Sequence, residues 1–289
     1  MKKTFLFLTL LCSSTLMQAQ QDPHLALYVF NPTMYNPAYA GNAQDPELTL
    51  AYRNQWQGIT GAPTTLFASG QSMVTDALGS GLMLQSDQLG PIQMTSVAAD
   101  VNYRIKVSEA SKLAVGLRLG MSNYNEALTD LYVIDPNDPI FQSDINQWSP
   151  MVGYGAMVYG DRYYLSFSSP GILRTAQHFY ASGGFALPVQ ANWDFRFSSQ
   201  YKIVANAPGS LDLSPAMVFK RRYTLGATLR PGSAAGAWFH VRMPNGLTLG
   251  YSMERTTSDL APFGPMSHDF VLSLPLYLPG KAVTSPRYF

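Results

Sequence analysis

Residues 237–254 read AWFHVRMPNGLTLGYSME and contain the pattern that the rest of the chain repeats. Apolar and polar side chains alternate on both arms, which places one face of an extended strand in an apolar medium and the other in a polar one. Asn245-Gly246 lies between the arms and tolerates the positive φ angles of a tight hairpin turn. The hairpin belongs either to a soluble sandwich or to a membrane barrel with lipid outside and a polar lumen inside.

The composition favours the membrane. Charged residues make up 13% of the 289 residues, whereas aromatic residues make up 12%. That charged share is about half the usual value for a soluble domain. The mean hydropathy of -0.03 is too low for a bundle of membrane helices, but it suits strands whose lipid-facing side is diluted by a polar side. The formal net charge of +1 offers no general attraction for nucleic acid, so that class of partner is set aside.

The first 19 residues predict a secretory signal peptide, because Lys2 and Lys3 precede an apolar run and then small and polar residues. Cys12 is the only cysteine, so the mature chain offers neither a disulfide nor a thiol nucleophile. No later apolar run approaches the roughly 20 residues that a membrane helix needs. An exported chain that stays in a membrane must then form a closed barrel, since closure satisfies every backbone group in lipid.

Residues 20–44 predict an irregular segment. Three prolines interrupt it, and each restricts the residue before it to extended conformations. Its aromatic side chains argue against a solvated tail, which is usually polar. We therefore expect the segment to pack in or under the barrel as a plug or a brace, with Phe30, Tyr35 and Tyr39 as anchors or as contacts for a partner.

The same stretch resembles a known family. Its pattern QDP…FNP…YNPAYAG is similar to the opening of PorP/SprF-type outer-membrane proteins of the bacterial type IX secretion and gliding motility system. Further similar blocks follow in the same order: YRNQW at 52–56, GAPTT at 61–65, DPNDP at 135–139 and SPRYF at 285–289. The resemblance implies a location in the outer membrane and a non-catalytic role in the export or surface attachment of particular proteins, notably those with a type B signal. The implied partners are the lipid bilayer, other type IX components and a secreted, adhesin-like substrate.

The alternating pattern predicts a fold independently of that resemblance. It recurs about 14 times within residues 45–279, and single-chain bacterial barrels prefer an even strand number. The predicted fold is all-β, a transmembrane antiparallel β-barrel of about 14 strands and of outer-membrane type, followed by a tail over 280–289. With the N-terminus in the periplasm, the even-numbered connections are short, and the odd-numbered ones include long loops over 125–148, 169–178, 203–211 and 255–267. This asymmetry is typical of outer-membrane barrels.

The polar faces of the predicted strands carry charges of both signs. These are Arg53, Asp100, Arg104, Arg118, Asp194, Arg196, Arg242, Glu254 and Asp269. A selective pore tends to be lined by one sign, so we expect these groups to pair or to coat a wet lumen. His240, Glu254 and Asp269 point inward from three successive strands and are the arrangement closest to an enzyme site. No nucleophile or metal-ligand motif accompanies them, so no catalytic residue, cofactor or metal site is predicted.

The most distinctive predicted loop is 125–148, which contains DLYVIDPNDPIFQSDINQW at 130–148. Its acids offer oxygen ligands for calcium, but their spacing matches no EF-hand loop, and DPNDP is ordinary turn chemistry. The preferred interpretation is an ordered recognition loop, with Asp135 and Asp138 at its tip as candidate partner contacts.

Two interpretations of the function remain open. The first is an outer-membrane accessory component of type IX secretion. The second is a diffusion channel or a hydrophobic-solute transporter on a similar barrel, and the fold alone does not separate them. The N-terminal segment favours the first interpretation, because a general porin does not need it.

Overall fold

The computed structural model describes residues 28–42, 46–129, 131–132, 135, 138–173, 177–204, 207–258, 261 and 266–276. The predicted signal peptide over 1–19, residues 20–27 of the irregular segment and the predicted tail over 280–289 lie outside these residues. Among the residues described, no helix reaches the length and apolarity that crossing a membrane would take.

Fourteen antiparallel strands close into one barrel, in which each strand pairs with its sequence neighbours and the first pairs with the last. The strands are β1 Glu47–Asn54, β2 Thr64–Met73, β3 Leu78–Leu89, β4 Ile92–Lys106, β5 Lys112–Glu126, β6 Ile145–Tyr159, β7 Tyr163–Ser169, β8 His178–Gln190, β9 Trp193–Val204, β10 Ala207–Phe219, β11 Tyr223–Arg230, β12 Ala234–Arg242, β13 Thr248–Thr256 and β14 Met266–Pro275. Three short 3-10 helices, Pro32–Met34, Pro37–Tyr39 and Pro139–Gln142, complete the regular structure described. The predicted fold is confirmed.

The hairpin of β12 and β13 shows why the alternating pattern closes a barrel. Phe239 and Leu249 face outward and are exposed, whereas Trp238 and Ser252 pair across the strands on the inner face and are buried. Gly246 takes a φ of 82° in the turn, as the Asn-Gly pair predicts. The outer wall is therefore the apolar, lipid-facing side.

The connections differ between the two ends of the barrel. The even-numbered turns are all short and cover 74–77, 107–111, 160–162, 191–192, 220–222 and 243–247. The longest connections, 55–63, 127–144, 170–177 and 257–265, lie at the other end. By this asymmetry the short turns mark the periplasmic end and the longer loops the extracellular end.

One predicted loop is wrong. Residues 203–211 contain Asn, Pro and Gly and were expected to form a long loop, but β9 continues to Val204 and β10 begins at Ala207. Ser210 pairs with Lys202, and the register shifts between Ala207 and Ser210. Pro208 and Gly209 therefore lie within β10 at this irregularity, because a bulge leaves an extra residue out of the ladder.

The inner face of the barrel is packed over much of its length. Phe67, Met83, Tyr180 and Trp238 are buried on different strands and form one apolar cluster with residues of the N-terminal segment. A wet lumen was one expectation from the sequence. At the level of this cluster the lumen is instead the hydrophobic core, shared between the wall and the segment.

Candidate functional site

The described part of the N-terminal segment, residues 28–42, lies inside the barrel. Two Asn-Pro pairs begin its two 3-10 turns, and proline suits a first helical position because it has no N–H to satisfy. The side chain of Asn36 accepts a hydrogen bond from the Ala38 amide at 2.9 Å. The segment therefore forms compact local turns that leave several carbonyl oxygens for the barrel wall to satisfy.

Wall side chains donate to those carbonyls. Arg118 donates to Thr33 at 2.5 Å and to Met34 at 2.9 Å. Asn102 donates to the carbonyls of Ala38 and Ala40 at 2.8 Å and 2.5 Å. We call the donating residues the carbonyl clamp: Asn102, Arg104, Arg118 and Ser168. The clamp matters because a buried carbonyl without a partner costs free energy comparable to a lost hydrogen bond.

The other two clamp residues hold further points of the segment. Arg104 donates to the carbonyl of Gly41 at 2.5 Å, close to the periplasmic end of β4. Ser168 on β7 donates to the carbonyl of Tyr35 at 2.9 Å. Donors therefore reach the segment from β4, β5 and β7.

The charge of Arg118 is neutralised by Asp100 on the neighbouring strand. The Nε and Nη2 atoms of Arg118 each donate to one carboxylate oxygen of Asp100 at 2.7 Å. Both side chains are almost fully buried. This bidentate pair fixes the plane of the guanidinium, and the fixed fork presents Nη1 and Nη2 to the segment.

Three wall glycines let the segment lie directly on the strands. A Cβ atom added at Gly79, Gly116 or Gly155 would come closer than 3.0 Å to the segment at Ala40, Ala38 or Asn36, respectively. Real Cβ atoms do not approach other atoms so closely, and the nearest atoms at Gly79 and Gly116 belong to backbone. Glycine at these strand positions thus marks a close approach of a second backbone.

Three aromatic side chains of the segment pack against the rest of the wall. Phe30 stacks on His240, with centroids 4.4 Å apart, and meets Trp238 edge-on at 4.8 Å. The ring of Tyr35 lies 4.9 Å from that of Tyr180.

Tyr39 completes this set. Its ring lies 6.1 Å from that of Tyr164, and its hydroxyl donates to Ser166 at 3.4 Å. Tyr35 and Tyr39 are buried, and Phe30 is partly buried. In this arrangement all three residues contact the barrel, and their surfaces are turned away from the solvent.

A cavity of about 30 Å³ lies beside the segment, between Tyr28, Phe30, Tyr35, Arg196 and Trp238. On this measure one water molecule needs roughly 10–15 Å³, so the cavity has room for about two.

A buried chain of ion pairs lies toward the extracellular ends of the strands. Arg230 contacts Asp212 at 2.8 Å and Glu254 at 2.7 Å. Arg53 contacts Asp269 at 2.7 Å and Glu254 at 3.8 Å. With the Arg118–Asp100 pair, these contacts show that five of the nine predicted lumen charges, Arg53, Asp100, Arg118, Glu254 and Asp269, form ion pairs.

The sequence analysis did not identify two residues of this series of ion pairs, Asp212 and Arg230. Asp212 follows the wrongly predicted loop, and Arg230 is the last residue of its strand. The alternation of Leu225 and Leu229 with Thr228 and Arg230 was the available signal for an inward Arg230. The Arg230 side chain reaches Glu254 across the intervening strand β12, on which Gly236 lies opposite Glu254.

The structure separates the residues of the enzyme-like arrangement. His240 pairs with Gly250, whereas Glu254 lies further along β13, opposite Gly236. The His240 ring stacks on Phe30, and Glu254 and Asp269 share Arg53. Within the described part of the chain, no three His, Cys, Asp or Glu side chains lie close enough together to hold a metal ion.

The long extracellular loop is held at its base. Asp144 accepts hydrogen bonds from the Thr129 amide at 3.0 Å and from the Thr129 hydroxyl at 2.8 Å. These bonds, led by the one from the amide, lower the pKa of Asp144 below its usual value. Asp138 accepts from the Ile140 amide at 3.0 Å and caps the helix Pro139–Gln142. Asp135 is exposed, and Asp130 lies outside the described residues.

Comparisons with known proteins agree with this architecture. A family profile described as "Type IX secretion system membrane protein PorP/SprF" matches residues 17–274. No curated protein matches the sequence. Among solved structures, the outer membrane protein Omp33 of Acinetobacter baumannii is similar, with a TM-score of 0.52 and 6% identity over 82% of this chain and 100% of that chain. A FadL homologue of Pseudomonas aeruginosa gives a TM-score of 0.49 and 12% identity over 87% of this chain and 94% of that chain. The likeness to Omp33 supports an outer-membrane barrel fold.

Proposed function

The chain belongs to the type IX secretion system membrane protein PorP/SprF family, and from that premise we propose that it supports the export or surface attachment of specific secreted proteins. It lies in the outer membrane, and its family and fold are those of a secretion-system barrel, not of an enzyme family. The proposed substrates are adhesin-like proteins that carry a type B signal, and the proposed partners include other type IX components.

The occupied lumen is the single observation that carries this proposal. A diffusion channel needs a continuous wet path, as in large porins. Here residues 28–42 cross the lumen and are held by the carbonyl clamp, by three glycine contacts and by aromatic packing. A barrel filled in this way favours a rigid frame over a conduit, so the alternative of a channel or solute transporter has the weaker support.

The proposed recognition surface is the extracellular loop over 127–144. Tyr132 is fully exposed and Ile140 is exposed beside the capped turn at Asp138. Trp148 is exposed just after the loop, on β6. Exposed aromatic side chains above a rigid scaffold are suitable anchors for a protein partner. We propose that Asp135 and Asp138 add polar contacts around them.

We propose a bracing role for Phe30, Tyr35 and Tyr39. Their burial against β12, β8 and β7 supports this role. Contact between these residues and a periplasmic partner would require the segment to leave the lumen. The whole role is proposed to be non-catalytic, because the charged groups of the lumen are engaged in ion pairs and clamp contacts.

Quantitative proteomics of the cell surface tests the proposal. Deleting the gene should remove one or a few surface proteins and leave the uptake of small solutes unchanged. Tyr132→Ala with Ile140→Ala should reproduce the loss, whereas Leu187→Ala on the lipid-facing wall should not. Retention of every surface protein in the deletion strain, together with blocked uptake of a hydrophobic solute, would establish the transporter alternative instead.

A further inference from the structure

The periplasmic rim carries a cluster of basic side chains that the proposed secretion role does not use. We define the basic rim patch as Lys220, Arg221, Arg222 and Arg242, which are all exposed. Arg222 donates from Nε to the carbonyl of Arg242 at 3.4 Å, which links the two turns. The three neighbouring turns 191–192, 220–222 and 243–247 contain no acidic residue. The patch is therefore a local concentration of positive charge.

The backbone of this turn is unusual. Lys220 and Arg221 take positive φ angles of 51° and 54°, and the Arg222 amide donates to the Phe219 carbonyl at 3.0 Å. Asn-Gly is the favoured pair at such positions, because other side chains are strained there. In the β12–β13 hairpin of the same chain the positive φ falls on a glycine, Gly246. Two basic residues thus occupy positions where they cost backbone energy, and strain of this kind points to a function for the side chains.

Two side chains of the patch lie over the lipid-facing aromatic girdle. The Lys220 ammonium lies 5.2 Å from the centroid of the Phe219 ring, and the Arg222 guanidinium lies 5.7 Å from that of Tyr223. The ring of Trp193 packs against that of Phe219 at 4.7 Å. Trp193 and Tyr223 are exposed on the outer wall. Aromatic residues in this position mark the level of the lipid headgroups.

We propose that the basic rim patch binds the phosphate groups of anionic phospholipids in the periplasmic leaflet. Lys220, Arg221 and Arg222 supply the positive charge, and Trp193, Phe219 and Tyr223 contact the upper acyl chains. On the other side of the rim acidic residues accompany the basic ones, since Lys106 contacts Glu109 at 2.7 Å and Asp161 precedes Arg162. This inference is independent of the secretion role.

Fluorescence quenching of Trp193 tests the proposal in vesicles of phosphatidylcholine that contain brominated phosphatidylglycerol or brominated phosphatidylcholine. The chain has four tryptophans, so the signal of Trp193 is taken as the difference between each protein and its Trp193→Phe counterpart. The test variant is Lys220→Asn with Arg221→Gly, which creates the favoured turn and should fold at least as well. The control, Lys106→Gln with Lys112→Gln, removes the same charge from the β4–β5 turn.

We expect brominated phosphatidylglycerol to quench Trp193 of the unaltered protein more strongly than brominated phosphatidylcholine. The ratio of quenching by the two lipids should fall by roughly fivefold for each cation removed from the patch. This factor corresponds to the attraction of one basic side chain to an anionic leaflet. The control should keep the preference. Equal quenching by both lipids, or an equal fall in test variant and control, overturns the proposal. An unchanged preference in the test variant also overturns it.

Discussion

Gly116 on β5 lies directly against the backbone of Ala38, with no side chain between the wall and the segment. A Cβ atom on residue 116 would approach the Ala38 amide nitrogen and the Pro37 carbonyl carbon closer than 3.0 Å. The wall backbone is fixed by strand pairing on both sides of Gly116. A side chain at position 116 and the segment in its present place therefore exclude each other.

Gly116→Val should displace the segment and open the lumen. We expect the unaltered protein to show low conductance in planar bilayers and the variant to show frequent, larger openings. Gly183→Ala is the control, because a Cβ there would meet its nearest neighbours at 3.5 Å, an ordinary contact. A large, steady conductance in the unaltered protein would contradict the plug, and an unchanged low conductance in Gly116→Val would show that the segment holds by other contacts.

Arg118→Gln should destabilise the barrel strongly. It leaves the buried Asp100 carboxylate without its cation and removes two donors to the segment. Breaking a buried pair costs about 3–5 kcal/mol, to be measured by urea unfolding in vesicles. Lys106→Gln, on an exposed side chain, should change stability by less than about 0.5 kcal/mol. Asp100→Asn with Arg118→Gln should recover part of the loss, since no charge stays unpaired. A loss below about 1 kcal/mol for Arg118→Gln would refute a structural role for the pair.

An arginine introduced on the outer wall should destabilise the barrel more strongly the closer it lies to the middle of the membrane. Leu117 lies in the middle of the apolar, lipid-facing run of β5 and is exposed to lipid. Leu117→Arg should cost roughly 2–4 kcal/mol, whereas Leu249→Arg, near the periplasmic start of β13, should cost about 0–1 kcal/mol. Folding titrations in vesicles measure both values. Equal costs at the two depths would contradict the membrane position of the wall.

The base of the extracellular loop should loosen in acid. The Thr129 bonds to Asp144 lower the pKa of that carboxyl, so its contribution to stability is present above its unfolded value of about 3.9 and is lost as the pH falls through the lowered folded value. Thr129→Ala removes the hydroxyl bond and keeps the amide bond, so the pKa of Asp144 should rise only part of the way. Carboxyl NMR titration measures it, with Thr257→Ala as the control. An unchanged pKa would assign the effect to the amide alone.

The barrel was predictable because alternation is a local property of the sequence. Successive residues of a strand face opposite sides of the sheet. Phe239 therefore faces the lipid and Trp238 the interior, and this alternation can be read from the sequence before the chain folds. The prediction of a loop over 203–211 was wrong because the outcome there depends on pairing between strands and not on a local pattern. Pro and Gly have the same local preferences in a bulge as in a loop, and only pairing between Ser210 and Lys202 decides between them.

The sequence by itself determined the apolar outer wall, the strand number and the sign of the lumen charges, since each follows from residue types at period two. Only the tertiary structure decided which charges pair, because Arg230 and Glu254 lie on strands separated by β12. It likewise decided where the segment lies. Asn102, Arg104 and Arg118 are ordinary polar strand residues in the sequence, and they become a carbonyl clamp because the segment lies inside the barrel with the carbonyls of residues 33–41 turned toward them.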